Sequence, residues 1–239
     1  MPVITFFQTK GGTGKTTSAF ALAEIFGSGK TTTVIDADRR QPFSKWQTRG
    51  GEGHKFKIVP CVDEDKIAKA IHDAQSRSTF VIVDTEGSGN TTSAKAVAVS
   101  DLVIITTTGS ALDQDGVSEA IAFVKDLEKR TKRAIPCYIL MTRQPAAIVS
   151  RAKRIAEKQM IEAGLNVFKS KIVERAAFEA IFGYSMTLFG LDPKKVRGPE
   201  KGYFNAKVFA MEVLRVLNPI TKGQGAEAAP KTTDAQEAA

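Results

Sequence analysis

Residues 3–17 read VITFFQTKGGTGKTT, and this stretch decides the fold. The apolar run Val3–Phe7 predicts a buried strand, and the residues that follow Lys15 predict a helix. A turn with three glycines lies between them. Glycines let several backbone N–H groups converge on one anion, and a helix N-terminus adds partial positive charge. The order of strand, glycine turn and helix therefore predicts a phosphate-binding loop.

The residues of this loop receive individual roles. In a loop of this type the lysine, here Lys15, holds the β- and γ-phosphates, and the next hydroxyl, that of Thr16, holds Mg²⁺. We therefore expect ATP and Mg²⁺ as cofactors, whereas the alternative is a glycine turn with a surface lysine. The other residues expected to surround the phosphates are Gly11, Gly12, Thr13, Gly14 and Thr17.

The loop departs from the common pattern G-x-x-x-x-G-K-[ST] at its start. Thr9 stands where the first glycine belongs, and a second lysine, Lys10, precedes Gly11. This K-G-G-x-G-K-[ST]-[ST] form resembles the deviant Walker A box of the ParA/MinD superfamily of ATPases. The resemblance implies that Lys10 is an ATP-binding and catalytic residue, because in that family it reaches the phosphates of the partner subunit when two subunits enclose two ATP molecules.

Two later segments predict strands that end in acids. Residues 31–36 are β-branched and lead into Asp36-Ala37-Asp38, and residues 80–84 form an apolar run that ends in Asp84. Carboxylates at the carboxyl ends of parallel strands face the ligand crevice of an open sheet. Asp84 has the form of a Walker B acid, which fixes Mg²⁺. The resemblance implies that Asp36 lies near the Mg²⁺ water shell and that Asp38 positions the attacking water, although acids at this place also cap helices.

The remainder of the chain continues the alternation of strands and helices. Strands are predicted at 55–61, 102–107, 135–141 and 167–173, and helices at 64–75, 113–130, 146–163 and 204–217. The alternation predicts an α/β fold of P-loop NTPase type, with a mostly parallel sheet and helices on both faces. We expect one ATPase domain, residues 1–218, and a disordered tail, residues 219–239, which shows no apolar periodicity. Trp46 is interpreted as a core or interface anchor.

Two blocks extend the resemblance beyond the phosphate loop. The stretch from Asp36 to Trp46 is similar to ParA-like proteins of conjugation and T-DNA transfer clusters, and residues 172–183 resemble the last recognisable block of short ParA proteins. Thr142 and Arg143 follow the strand predicted at 135–141, where the family places its contacts to adenine. The resemblance therefore adds these two residues to the ATP-binding set.

Composition excludes several other classes of protein. No run approaches 18 apolar residues, so no membrane span is predicted. The N-terminus lacks the basic-then-apolar pattern of a signal peptide. Cys61 and Cys137 lie far apart and show no metal-binding spacing, which is typical of cytosolic thiols.

The net charge of +8 is unevenly distributed. Residues 1–120 contain 13 Lys and Arg against 14 Asp and Glu, whereas residues 121–239 contain 21 against 12. The basic half predicts a polyanionic partner, most simply DNA bound without sequence preference. An anionic membrane surface and a solvated basic face are the alternatives. The DNA-binding candidates are Arg151, Lys153, Arg154 and Lys158, followed by Lys194, Lys195, Arg197 and Lys201.

The resemblance implies a function as well as a fold. An ATPase of ParA type would form a homodimer on binding ATP, bind DNA, and release it when a ParB-like or other partner protein stimulates hydrolysis. It would be cytoplasmic and nucleoid-associated, and would drive the partition of a plasmid or chromosome or the positioning of another cargo. Because the chain begins directly at the first predicted strand, we expect the short type, without an N-terminal helix-turn-helix domain.

Two other functions remain open on the same scaffold. A MinD-like membrane-cycling ATPase would carry a basic amphipathic helix at its C-terminus. A metabolic P-loop enzyme, such as a reductase or an amide-forming synthetase, would need motifs of its own. The predicted last helix is followed by a polar tail, and the two cysteines lie in no reductase motif, so both alternatives are weaker than a partition-type ATPase.

Overall fold

The computed structural model describes residues 1–227, apart from the side chains of residues 111, 112 and 219–227. In this part of the chain six strands alternate with eight helices. The strands are β1 (Val3–Phe7), β2 (Thr32–Ala37), β3 (Lys57–Pro60), β4 (Phe80–Thr85), β5 (Leu102–Thr107) and β6 (Cys137–Met141). The helices are α1 (Lys15–Gly27), α2 (Pro42–Thr48), α3 (Ile67–Gln75), α4 (Thr91–Ala98), α5 (Ala111–Thr131), α6 (Arg151–Glu162), α7 (Ala176–Gly183) and α8 (Pro199–Glu227).

The strands form one parallel sheet in the order β3-β2-β4-β1-β5-β6. The predicted fold class, an α/β fold with a mostly parallel sheet, is confirmed. Because every pairing in this sheet is parallel, the carboxyl ends of all six strands lie along one edge. Loops that follow the strands therefore meet at this edge, where ligands bind in open α/β sheets.

Alternating side chains of the strands pack against helices on both faces of the sheet. On one face, Ile4 and Phe6 of β1 join a buried cluster with α1, α2, α7 and α8. On the other face, Val3 and Phe7 pack against the layer that contains α3, α4, α5 and α6. A sheet covered on both sides explains why its strands are almost continuously apolar. Trp46 of α2 lies in the first cluster and is 2% exposed, which confirms its interpretation as an anchor.

The strand predicted at 167–173 is absent, and the segment makes only two isolated bridges, Ile139 to Val167 and Gln144 to Val173. The N–H groups of Phe168 and Ile172 still donate to the carbonyl oxygens of Ile139 and Met141 in β6, whereas side chains of α8 bind N–H groups between them. The Glu212 carboxylate accepts from the N–H groups of Lys169 and Ser170. The segment therefore satisfies its backbone without a continuous ladder.

Helix bounds differ from the prediction in three ways. The short helices α2, α4 and α7 were not predicted, because seven or eight residues give too few turns for a clear apolar period. Helix α6 begins at Arg151 rather than at residue 146, since the Ser150 hydroxyl accepts from the N–H of Lys153. Helix α8 continues to Glu227, so residues 219–227 of the predicted tail are helical, and residues 228–239 lie outside the described residues. None of the helices described is both long and apolar enough to span a membrane.

Candidate ATP-binding site

The predicted phosphate loop connects β1 to α1. Side chains of β5 and of the residue that follows β6 hold it in place by hydrogen bonds. Gly14 has a φ of +85°, and a Cβ at this position would lie 3.2 Å from the side chain of Thr142. The Thr142 hydroxyl donates to the carbonyl oxygen of Thr13 at 2.7 Å. The Thr13 hydroxyl is hydrogen-bonded to that of Thr106 at 2.8 Å. Only glycine fits position 14 without strain, and the loop is held in one shape by the strands beneath it.

A cavity of about 460 Å³ lies over this loop. The loop and the start of α1 contribute part of its lining, including Lys15 and Thr16. Asp38 enters from the segment after β2, and Glu86 from the segment after β4. The other lining residues are Gly11, Gly12, Gly14, Thr17, Arg40, Pro42, Gly87, Arg143 and Phe182. Loops from four strand ends therefore enclose one polar space, as the sequence predicts.

Lys15 is the buried cation among the described residues that line this cavity. Its side chain is buried, and Nζ donates to the carbonyl oxygen of Lys10 at 3.3 Å, so the loop curls over the lysine. Burial lowers the pKa of Lys15, and the charges of Asp84, Asp38 and Glu86 oppose that shift. Contact with an added anion such as a phosphate would stabilise the charged form of this partly desolvated ammonium group.

Two carboxylates are buried behind the cavity lining, next to Thr16. The Thr16 hydroxyl donates to Oδ2 of Asp84 at 2.8 Å. Oδ2 of Asp36 accepts from both the N–H and the hydroxyl of Ser44, at 2.9 and 2.8 Å. Oδ1 of each aspartate is buried without a hydrogen-bond partner in the described part of the chain. Burial raises the pKa of Asp84 to about 7, and burial also raises the pKa of Asp36.

This set of oxygens fits Mg²⁺. A magnesium ion takes oxygen ligands, and proteins hold it through one or two carboxylates shared with substrate phosphates rather than in a complete cage. Among the described residues no group of three or more His, Cys, Asp or Glu side chains could hold a metal. The three predicted metal residues, Thr16, Asp36 and Asp84, therefore match a metal shared with a nucleotide.

Asp38 and the loop after β4 form the wall opposite Lys15. Asp38 is half-buried, and its Oδ1 accepts from the N–H of Arg40 at 2.8 Å. Glu86 accepts from the Asn90 side chain at 3.0 Å. A Cβ on Gly87 would lie 3.1 Å from the backbone nitrogen of Gly11, so this segment rests directly on the phosphate loop. Ser44, Glu86 and Gly87 were not predictable as site residues, because a single hydroxyl, acid or glycine outside a motif carries no signal.

Lys10 lies apart from this cavity. The side chain is half-buried and runs along α5, where its Cδ would be 3.0 Å from a Cβ on Gly116. Its predicted contact with the phosphates of a second subunit concerns an assembly that one chain does not contain. That role stays a prediction.

A second cavity of about 310 Å³ adjoins the first and shares Gly14, Thr17, Arg143 and Phe182 with it. Both predicted adenine-contacting residues, Thr142 and Arg143, line it. Further lining residues come from the segment before α7 and from α7 itself, and include Val173, Arg175, Phe178 and Phe182. The resemblance of residues 172–183 to a ParA block was the available signal for these residues, although it gave them no role.

The predicted DNA-binding residues lie mostly on the surface, in two separate places. Arg151, Arg154 and Lys158 of α6 are exposed, whereas Lys153 is half-buried and donates to the carbonyl oxygen of Arg143 at 3.1 Å. Lys158 pairs with Glu162 at 3.3 Å. The second cluster, Lys194, Lys195, Arg197 and Lys201, is exposed before and at the start of α8. Because α6 and α8 cover opposite faces of the sheet, the two clusters belong to different layers of the molecule.

Comparison with known proteins agrees with this geometry. The chain is 28% identical over 218 residues to the protein ParA of Rhizobium radiobacter, which covers 91% of this chain and 98% of that one. Apo McdA of Cyanothece superposes with a TM-score of 0.69 at 17% identity, and covers 86% of this chain and 99% of that one. A plasmid partition protein of Borrelia burgdorferi, bound to AMPPNP, superposes with a TM-score of 0.66 at 16% identity, and covers 90% and 98%.

The fold and the site define a P-loop ATPase of the ParA/MinD superfamily, a class that includes partition and cargo-positioning proteins. Within this class, a family model described as VirC1 protein matches residues 1–197. The chain belongs to the VirC1 family.

Proposed function

We propose that the protein hydrolyses ATP with Mg²⁺ and uses the cycle of ATP binding and hydrolysis to position a cargo on DNA. The observation that carries the proposal is the convergence of Lys15, Thr16 and Asp38 on one cavity, with the buried carboxylates of Asp84 and Asp36 directly behind Thr16. These groups supply a cation for phosphates, oxygens for a metal, and a carboxylate near the space for a γ-phosphate. They are the parts that phosphoryl transfer to water requires.

Each residue has a distinct task in this reaction. Bound Mg²⁺ would neutralise charge on the β- and γ-phosphates. Thr16, Asp84 and Asp36 would hold that ion, and Ser44 binds Oδ2 of Asp36 so that Oδ1 is available to a ligand. Lys15 neutralises phosphate oxygens from the side of the loop. Asp38, fixed through the N–H of Arg40, orients the attacking water from the opposite wall.

ATP would also change the assembly state. We propose a homodimer in which Lys10 turns away from α5 and reaches the phosphates of the partner subunit. The support is its place at the rim of the loop, in a chain of this superfamily. Closure over two ATP molecules excludes water from the site, which strengthens the electrostatic interactions of both lysines.

DNA binding would depend on this dimer. Contacts to phosphate groups need clustered Lys and Arg and no element that reads bases. One chain presents its basic clusters on two layers, and a dimer doubles each of them on one assembly. Affinity would therefore rise on dimerisation through effective concentration. A ParB-like or other partner protein would stimulate hydrolysis and release, and the protein would be cytoplasmic and nucleoid-associated.

Electrophoretic mobility shifts on two unrelated duplexes, with ATP and with ADP, test the proposal. We expect binding to both duplexes with ATP only, and a strong loss of affinity between roughly 50 and 200 mM salt. Equal binding with ATP and ADP would contradict the switch. Absence of binding to either duplex would exclude DNA as the surface on which the protein acts.

A further inference from the structure

The outward face of α8 carries an apolar ridge. Phe204, Val208 and Met211 are 66%, 39% and 46% exposed. Their spacing of four and three residues places them in one line along the helix. On the opposite side of α8, Phe209 and Val213 are fully buried in the core. Because packing fixes the rotation of the helix, the ridge points permanently away from the rest of the described structure.

The ridge lies in the most apolar part of the protein surface. Seven of the 13 large apolar side chains that are exposed among the described residues lie between residues 184 and 214. One of them, Phe189, is 83% exposed, and its ring lies 6.1 Å from that of Tyr203 on α8. The Glu24 carboxylate accepts from the N–H groups of Leu188 and Phe189, at 2.8 and 2.9 Å, which holds this loop against α1. An ordered apolar patch of this kind marks an interaction surface.

Positive charge borders the ridge. Lys207 and Arg215 of α8 are exposed beside it, and the basic residues 194–201 precede it. Of the two acids on this part of α8, Glu212 accepts from the N–H groups of Lys169 and Ser170, which leaves Glu200 exposed near the start of the helix. An apolar line with cations on its borders is complementary to an apolar surface with carboxylates on its borders.

We propose that the ridge of Phe204, Val208 and Met211 is the docking surface for an acidic amphipathic helix of a partner protein. An amphipathic helix presents apolar side chains at i, i+3, i+4 and i+7, and can lie along α8 with its acids near Lys207 and Arg215. Duplex DNA would use the cations and leave the ridge uncovered. A second copy of this chain would bring like charges together. A membrane-surface helix inserts a broad apolar face, whereas the broad apolar face of α8, which includes Phe209 and Val213, is buried in the core and leaves only a narrow ridge outside.

The ridge also lies next to a wall of the nucleotide site. Asn205 follows Phe204, and its side chain accepts from the N–H of Val173 at 2.8 Å and donates to the carbonyl oxygen of Lys171 at 2.7 Å. Val173 lines the smaller cavity. A helix docked on the ridge therefore contacts the turn of α8 that holds this wall.

Fluorescence anisotropy of a labelled synthetic helix tests the proposal on the full chain with ADP. The probe is an 18-residue peptide with leucines on one face and glutamates elsewhere, and its control is a scrambled peptide of the same composition. We expect the amphipathic peptide alone to bind. Replacement of Phe204→Ser together with Met211→Ser should weaken binding by about tenfold or more. Replacement of Lys207→Gln together with Arg215→Gln should weaken binding and reduce its salt dependence.

A matched variant tests whether peptide binding depends on the ridge itself or on exposed apolar surface anywhere on the protein. Ile155 and Ile161 of α6 are 45% and 56% exposed, so Ile155→Ser with Ile161→Ser removes similar apolar surface elsewhere and should leave peptide binding unchanged. Thermal melting should show both serine variants to be folded, because the replaced side chains are outside the core.

Several results would overturn the proposal. Three outcomes of the anisotropy experiment would contradict it directly. They are equal binding of the scrambled peptide, unchanged binding by the ridge variant, and no binding of the amphipathic peptide to the wild type. If phosphatidylglycerol vesicles bind the wild type but not the ridge variant while the peptide does not bind, the surface belongs to a membrane. A dimer seen by light scattering that only the ridge variant loses would assign the ridge to a second copy of the chain.

Discussion

Asp36 and Asp84 are register partners on the neighbouring strands β2 and β4, and both carboxylates are fully buried at the carboxyl edge of the sheet. Each binds a hydroxyl through Oδ2 and leaves Oδ1 without a partner among the described residues. Two buried carboxylates at this proximity repel one another when both are ionised. The pair therefore destabilises the protein unless a proton or a cation compensates its charge.

The first prediction is that the protein without nucleotide and Mg²⁺ loses stability as the pH rises from about 5 to 8. Burial raises the pKa of Asp84 from 3.8 to about 7, and raises those of Asp36 and Glu24. The folded state then binds more protons than the unfolded chain, so the free energy of unfolding falls through this window and levels off above it. Thermal melting at several pH values measures this loss of stability, because each kcal/mol of unfolding free energy shifts the melting temperature by about 2–4 °C in a chain of this size.

Asp84→Asn provides the control for this effect. The neutral amide should make the slope of melting temperature against pH shallower and should raise the melting temperature at pH 8 above that of the wild type. It should also abolish stabilisation by Mg²⁺ with ATP. Asp73→Asn changes an exposed acid and should preserve the wild-type slope. A wild-type slope in Asp84→Asn would show that this carboxylate is not the titrating group.

The second prediction concerns Lys15→Ala. The variant should bind ATP roughly 10- to 150-fold more weakly, because a hydrogen bond to a charged group contributes about 1.5–3 kcal/mol. Equilibrium binding of a labelled ATP analogue measures the change, with the exposed Lys30→Ala as control. Unchanged affinity in Lys15→Ala would refute the assignment of the phosphate loop.

The third prediction separates ATP binding from dimerisation. Lys10→Ala should retain near-normal affinity of the monomer for ATP, because the side chain lies along α5 and outside the cavity. It should lose the ATP-dependent dimer and hydrolysis. Light scattering after size exclusion with ATP measures the assembly, with Lys129→Ala, which removes an exposed lysine of α5, as a charge control. An ATP-dependent dimer of normal strength in Lys10→Ala would exclude contact across subunits.

The fourth prediction is that Asp38→Ala binds ATP and accumulates as a dimer while it hydrolyses slowly. The expected loss is on the order of 100-fold or more, the scale of a positioned acid or base. Single-turnover hydrolysis of bound ATP isolates this step from binding. A variant that stays monomeric while the wild type dimerises would count against a role in positioning water.

The fifth prediction concerns the basic clusters. Arg151→Ala with Lys158→Ala on α6 should weaken DNA binding in the ATP state and lower its salt dependence. With fewer phosphate contacts, the protein releases fewer counterions from the DNA when it binds. ATP affinity should be unchanged. Lys69→Ala with Arg77→Ala removes two exposed cations on and after α3 and serves as the control. Equal losses in the two variants would indicate that net charge, rather than a defined surface, determines binding.

The proximity of the candidate site residues was predictable from sequence because they lie at the ends of predicted strands or open the helix that follows one. Lys15, Thr16, Asp36, Asp38 and Asp84 are each next to an apolar run that predicts where the chain reaches the carboxyl edge of the sheet. Local sequence therefore fixes which side chains can meet there. The predicted hydroxyl and acid, Thr16 and Asp84, are joined by a hydrogen bond in the structure.

The unpredicted features depend on contacts between distant parts of the chain. Residues 167–173 have the composition of a strand, yet Glu212 and Asn205 of α8 take part of their hydrogen bonds. Ser44 acts on Asp36 only because α2 begins beside β2. No local pattern encodes such partners, so the wall of the smaller cavity and the hydrogen bonds of Ser44 to Asp36 were not predictable.

The order of the strands has a consequence for biosynthesis. Of the six strands β1 leaves the ribosome first, but its two neighbours in the sheet, β4 and β5, begin only at Phe80 and Leu102. A nascent chain that ends before residue 80 already contains the whole loop between β1 and α1 but lacks Thr106 and Thr142, whose side chains hold that loop. A bound nucleotide could therefore assist folding only late in translation. Until β4 and β5 emerge, the apolar residues of β1 lack their partner strands and need chaperones to prevent aggregation.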